Sequence, residues 1–566
     1  MNWQEQALTP FRILRFAGEL VGYPDVLLLA SVAVPLVLGL LAVLPGVRRH
    51  SPDLAILAPL PALIAALLVP RGTAVLAAPD PLRFTLSLDT SGALLLGGAA
   101  VLWLTASLYA AAYLRKDPAR GAFGAWWLLT MAGSFAVFLV ADVASFYLAY
   151  ALVSFSAFGL AAHDDTPEAR RAGNIYLALT VLGEAFLIAG FVMLASGAPE
   201  ANPLIRDAVA ALPASPWKGV IVLLLLLGFA LKMGLFPLHF WMPLAHAVAP
   251  VPGSAALSGI VVKAGVIGLI RFLPQGVPLP DWGGVLTVAG LFTAYYGIAI
   301  GLTQHHPKRA LAYSTVSQMG VVAAVLGAGL SAGAAAAFPL AAFYAVNHML
   351  LKGAMFLAVG IAMTRRREAA RGILAVAALL GLSLAGLPFT GGALAKYAVK
   401  DVAGSGTAGL LLTLSAAGTT LLMARYVLLL ARAAGGKEAP RGLLGPWAWL
   451  SFAALAAPFA LFAPVTGTPL SSAFAADALL KGAWPVALGL GAAVLLFRVA
   501  PRVPEVPAGD IVVLAGPCGR LTAKAIAAVV VADGWLRRWP VAGAGVVMLA
   551  VWLFLSMEGA GWPLGR

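Results

Sequence analysis

The chain of 566 residues has a single cysteine, Cys518, so it can form no internal disulfide and no iron–sulfur or zinc centre held by its own cysteines. Charge is scarce as well. Only 11% of the residues are Asp, Glu, Lys or Arg, against roughly a quarter in an ordinary soluble domain. The sequence has no HExxH zinc motif, no GxxxxGK[ST] phosphate loop and no cluster of acids at a membrane face. These absences remove the usual signatures of metal hydrolases, nucleotide binding and lipid-linked group transfer. No cofactor is expected in the chain itself, and any redox chemistry is expected to lie in a partner.

What fills the sequence is apolar, at 61% of residues. A helix needs about 18 or more apolar residues to cross a hydrocarbon core of roughly 30 Å. Such runs predict an all-α polytopic membrane protein of about sixteen transmembrane helices, near 26–46, 53–70, 90–114, 121–140, 142–162, 173–197, 218–241, 252–273, 281–303, 309–330, 334–363, 371–399, 406–432, 445–465, 484–499 and 538–558. The opening segment, with Arg12 and Arg15 ahead of Gly18, lacks the pattern of a removable signal, so the first span is expected to be retained. The stretch at about 500–537 reads as an amphipathic segment lying at the headgroups, with a further buried span as its alternative.

The net charge of +14 suggests nucleic acid only until its distribution is examined. Arg48 and Arg49, Arg115 to Arg120, Arg170 and Arg171, Lys308 and Arg309, Arg365 to Arg371, and Arg432 to Arg441 fall in alternate short loops. The positive-inside rule makes those loops cytoplasmic and puts the N-terminus outside. No nucleic-acid partner is expected.

Against this background, ionisable groups inside spans stand out, because each costs roughly 2.5–3.5 kcal/mol at mid-membrane and usually faces water or a partner. Lys232 and Lys263 lie within apolar runs, and His348 and Lys352 are one helical turn apart, so both can occupy one helix face. Glu184 is a carboxylate inside a span, where it must be neutral or paired with a cation such as Lys232. The plainer reading of these groups is a snorkelling lysine or a polar pair at a kink. Helix breakers accompany two of the lysines: Gly234 and Pro237 follow Lys232, while Pro388, Gly391 and Gly392 precede Lys396. Paired interruptions of this kind point to a transporter's ion path and to an internal repeat. His239, His246, His305, His306 and Asp401 are candidate points of proton uptake or release. For Asp401 and Asp142, capping at a span end is the commoner role, and His305 and His306 also read as a solvated loop edge. A two-histidine metal site at His239 and His246 is not expected, given the prolines around them.

The stretch LFPLHFWMPLAHAVAPVPGSAALSGIVVK (235–263) strongly resembles the signature of the antiporter-like membrane subunits of respiratory complex I, membrane-bound hydrogenase and formate hydrogenlyase, and multisubunit sodium/proton antiporters. HPKRALAYSTVSQMG (306–320), NHMLLKGAMFLAVG (347–360) and AGLPFTGGALAK (385–396) resemble the same family in the same order. The resemblance implies a fourteen-helix core with two inverted five-helix repeats and broken seventh and twelfth helices. It divides the chain into 1–120, a first repeat at 121–273, a second at 281–432, and C-terminal helices at 445–566 like those of the hydrogenase-4 branch. It further implies a proton-translocating subunit of a bacterial inner-membrane complex, catalytic only with its partners, which would be other membrane subunits and a redox or soluble-domain protein. A cation/proton antiporter subunit or a gradient-driven inorganic-carbon uptake module is the alternative. Proton-carrying roles are thereby implied for Lys232, Lys263, His348, Lys352 and Lys396. The sequence departs from the family in SFYLAYALVS (145–154), where Tyr150 and Ala151 replace a tryptophan–glutamate pair, so Glu184 is expected to supply the missing charge beside Lys232.

Overall fold

Helices begin where the sequence supplies a proline preset for the first turn or a side chain that accepts an orphan backbone N–H. Pro24, Pro167, Pro280 and Pro307 open helices in the first way. Asp89 and Asp142 open them in the second, accepting from Gly92 N at 2.5 Å and Ser145 N at 2.9 Å. The computed structural model describes residues 23–78, 83–198, 200, 202–436, 442–499, 504–507 and 509. Among these, thirteen helices are long and apolar enough to cross a membrane, from Pro24–Leu41 to Ala476–Leu495. The chain is a multi-pass helical membrane protein. Through residue 499 the helices fall where the apolar runs put them, with ends shifted by up to about two turns. The span expected at 538–558 and most of the segment at 500–537 lie outside the described residues.

Two lysine-bearing apolar segments are each built from two shorter helices, as is the span Pro45–Leu68. Lys218–Met233 is followed by Trp241–Val248, and Arg371–Ala385 by Gly391–Lys400. Both first halves stop at a left-handed glycine, Gly234 at φ +72° and Gly386 at φ +95°, a conformation that strains any residue with a Cβ. The same closing bonds recur, with Leu235 N donating to Ala230 O at 2.9 Å and Leu387 N to Leu382 O at 2.9 Å. A further irregularity was not legible from hydropathy: Leu257–Val261 is a π-helical turn within the span Val251–Phe272, ending two residues before Lys263.

The polarity of the molecule is that of a lipid-embedded protein, since outer helices expose Val192, Val288, Phe292 and Leu488 while Lys232, Lys263, His246, His348 and Lys352 are enclosed. Val251–Phe272 and Ala337–Thr364 are the most enclosed spans, and they carry Lys263, His348 and Lys352. A short antiparallel hairpin, Ala74–Ala78 with Phe84–Ser87, was not expected from the sequence. Buried Asp142 ties it down, accepting from Thr85 N at 2.8 Å and Asn202 Nδ2 at 2.9 Å as well as capping its own helix. That is the capping role the sequence favoured for Asp142.

Candidate functional site: a buried line of lysines and histidines

Lys232 occupies the last turn of Lys218–Met233, where the helix presents its negative end. Its Nζ lies 5.3 Å from the centre of the Tyr150 ring and 5.6 Å from that of Tyr176, within range of cation–π attraction. Tyr176 is fixed by its hydroxyl, which donates to Ser154 O at 2.8 Å, and by an edge contact with Trp241. Trp241 in turn bridges the helix break, donating from Nε1 to Leu231 O at 2.9 Å. Glu184 is buried within electrostatic reach of Lys232. Neither Glu184 oxygen, however, nor Lys232 Nζ has a hydrogen-bond partner among the described residues. The charge expected beside Lys232 is therefore nearby but not hydrogen-bonded to it, and the rings of Tyr150 and Tyr176 face its ammonium instead.

The centre of the site is a direct contact. Lys263 Nζ and His348 Nδ1 are 2.6 Å apart, both residues are fully enclosed, and Lys263 also donates to Ser258 O at 3.0 Å. Either the ammonium donates to Nδ1 or an Nδ1–H donates to the neutral amine, so one short hop interchanges the two states. Lys352, one turn along the same helix, donates to Leu311 O at 2.9 Å. Another turn on, Phe356 stacks on His246, with ring centroids 4.9 Å apart. Both His246 nitrogens are enclosed and lack a hydrogen-bond partner among the described residues. One face of Ala337–Thr364 thus presents Tyr344, His348, Lys352 and Phe356 in sequence. His239 lies against different rings, those of Phe236, Tyr296 and Tyr313, and does not join His246.

Lys396 differs from the other lysines. It lines a cavity of about 210 Å³ with Tyr344, Lys400, Lys481 and Trp484, and its stem passes against Gly386. Lys400 sits over the Tyr397 ring at 4.0 Å, and Lys481 pairs with Asp477 at 2.8 Å. Asp401 follows at the exposed end of that helix. The histidines at the 304–309 corner are also placed. His305 pairs with Glu505 at 3.0 Å, as does Arg309 at 3.1 Å. His306 caps the helix Pro307–Ala332 by accepting from Lys308 N at 3.2 Å. Burial, then Lys308 and Arg309, push its pKa down to about 4, so its ring stays neutral near pH 7.

These residues sit within a recognisable frame. A profile described as NADH:quinone oxidoreductase/Mrp antiporter, TM, matches residues 140–423, half of the chain. The chain belongs to that family. Among curated proteins it is 29% identical to hydrogenase-4 component B of Escherichia coli, over 50% of this chain and 44% of that protein. It is 32% identical to the A/B subunit of a probable K⁺/H⁺ antiporter of Rhizobium meliloti, over 50% and 28%, and 32% identical to the A1 subunit of a Na⁺/H⁺ antiporter of Staphylococcus aureus, over 56% and 42%. The matches thus span less than half the length of these relatives. In fold it resembles a chain of the Mrp complex from Dietzia sp., at TM-score 0.70 and 22% identity, covering 96% of this chain and 64% of that one. It also resembles a chain of an archaeal membrane-bound sulfane sulfur reductase, at TM-score 0.63 and 20% identity, covering 83% and 99%.

All the candidate residues from Glu184 to Asp401 lie inside the stretch matched to the family. Sequence reasoning passed over Lys308, counted only as a loop charge. Its Nζ is nearly buried and donates to Ala249 O at 2.6 Å and Ala247 O at 3.2 Å, carbonyls freed where Trp241–Val248 ends beside His246. A signal was available, because a lysine in the first turn of a helix opposes the helix dipole and so implies a partner elsewhere. Tyr176, Tyr344 and Gln318 were not singled out, and Tyr150 only as a departure from the family pattern, because an apolar helix gives no sign of which aromatic or amide faces a lysine.

Proposed function

We propose that the chain carries protons through the membrane as one subunit of a larger energy-converting complex, along Glu184, Lys232, Lys263, His348, Lys352 and Lys396. The observation that carries this reading is the 2.6 Å contact between Lys263 and His348, sealed from solvent. Two protonatable nitrogens so close in a low-dielectric interior titrate as a pair, so a charge arriving on either side moves the proton between them. A change imposed by a partner at one end then alters each neighbour in turn. The partners are other membrane subunits and a redox or soluble-domain protein that carries the driving reaction. On this reading the chain lies in a bacterial inner membrane with its N-terminus outside, as the alternation of basic loops suggests. Residues 1–120 precede two inverted repeats, 121–273 and 281–432, and 445–566 follow them.

A second reading, as part of a cation/proton antiporter, draws support from the antiporter proteins among the relatives. The donor set favours protons: Na⁺ and K⁺ are held by oxygens, whereas this line is built of amines and imidazoles with a single carboxylate. The test uses full-length chain in vesicles containing pyranine, with an imposed pH gradient and a lipophilic cation for charge balance, in choline, sodium or potassium medium. His348→Ala and Lys263→Ala are expected to slow proton flux by at least about tenfold, the rate cost of ~1.4 kcal/mol on a barrier. Unchanged flux in both variants overturns the proposal, and flux that requires sodium or potassium replaces it with the antiporter reading.

A further inference from the structure

One residue lies on the helix of His348 and also on the wall of the cavity around Lys396. Tyr344 lines the cavity and precedes His348 by one turn on the same helix face. Its hydroxyl donates to Gln318 Oε1 at 2.6 Å. The direction of that bond is fixed by its neighbours. Thr419 donates its hydroxyl proton to Ser415 O at 2.8 Å, so its oxygen accepts from Gln318 Nε2 at 3.1 Å, and the Gln318 carbonyl must face Tyr344. All four residues are buried.

We propose that Tyr344 and Gln318 form a gate that connects His348 to the Lys396 cavity, held closed in this structure by their hydrogen bond. A hydroxyl relays a proton by accepting one on one side and releasing its own on the other. Here its own proton points at an amide oxygen, which does not pass a proton onward, while the residue itself borders the cavity. Release requires the Tyr344 hydroxyl to leave Gln318 and turn toward His348. The O–H bond to the incoming proton then forms as the original O–H bond breaks, and His348 takes up the released proton. The gate rests on the proton-carrying reading of the same line and specifies where that line is interrupted.

The vesicle assay tests it with two substitutions of opposite expected sign. Tyr344→Phe keeps the ring and deletes the relay, so flux falls by about a hundredfold, the low end for a removed proton-transfer group. Gln318→Leu removes the acceptor that holds the hydroxyl away, so flux rises roughly threefold to tenfold, about the weight of one hydrogen bond. The double variant behaves as Tyr344→Phe does. A merely structural role predicts that both single variants lower flux, together with the yield of monodisperse chain in detergent, and that result overturns the gate. The gate is also lost if Tyr344→Phe conducts as the unaltered chain does. If His348→Ala and Lys263→Ala both conduct normally, the proton-carrying reading has failed; if they are slow while Tyr344→Phe is not, only the gate has.

Discussion

The two broken helices close their first halves in the same way and then use their lysines differently. Gly234 and Gly386 are both left-handed and are followed by the same backbone bond back into the helix. Lys232, however, lies before its break, in the negative last turn of the first half, enclosed by Tyr150 and Tyr176. Lys396 lies after its break, in the second half, and faces a cavity. One interruption therefore buries a cation among negative faces, and the other hands it to a space that water can enter. What a broken helix does depends on which side of the break carries the ionisable group.

The largest expected effect bears on that difference directly. In a Cys518→Ser background, Lys232→Cys and Lys396→Cys are each treated with a small water-soluble thiol reagent. A sealed position reacts only through local opening, and an opening cost of ~3 kcal/mol slows it about a hundredfold relative to a position already facing water. Lys396→Cys should therefore be modified about a hundredfold faster, as read by mass spectrometry over time. Equal rates would mean that the two breaks are equivalent and the contrast is lost.

A smaller effect separates the breaks by their glycines. Gly234→Ala and Gly386→Ala each force a Cβ into a left-handed backbone, at a cost of roughly 1–2 kcal/mol, read as a lower thermal midpoint in detergent. The added methyl of Gly234→Ala meets Met242 Cε at 2.5 Å, the far end of a flexible side chain. That of Gly386→Ala meets Lys396 Cδ at 2.5 Å and Cε at 3.1 Å. Both variants should lose similar stability, but only Gly386→Ala displaces a lysine stem, so it should lower proton flux in the vesicle assay more than Gly234→Ala does.

The sequence made the breaks visible because glycine and proline interrupt an apolar run, and it made the His348–Lys352 turn visible because both residues lie on one helix. It could not show the Lys263–His348 contact, since those residues are 85 positions apart on different spans and only packing sets the rotation of each span. Helix rotation also decided the fate of Glu184. Hydropathy placed it in a span near Lys232, yet its oxygens make no hydrogen bond to that lysine, whose ammonium faces the Tyr150 and Tyr176 rings. Lys308 was hidden for the opposite reason, because its place among loop charges explained it too readily.

The smallest expected effect concerns the two tyrosines that distinguish the Lys232 side. The Tyr176 hydroxyl donates to Ser154 O, whereas the Tyr150 hydroxyl is buried with no hydrogen-bond partner among the described residues. Removing a made bond costs about 1 kcal/mol, while removing an unsatisfied buried hydroxyl costs nothing and relieves its desolvation. Tyr176→Phe should therefore lower the thermal midpoint and Tyr150→Phe should leave it unchanged or raise it, while both keep a ring face toward Lys232. Tyr150→Leu, which removes that face, should cost a further ~0.5–2 kcal/mol of cation–π attraction. If Tyr150→Phe proves as damaging as Tyr176→Phe, the Tyr150 hydroxyl has a partner, such as the Glu184 carboxylate or water. Lys232 would then face a polar partner or water, as Lys396 faces its cavity, rather than aromatic faces alone.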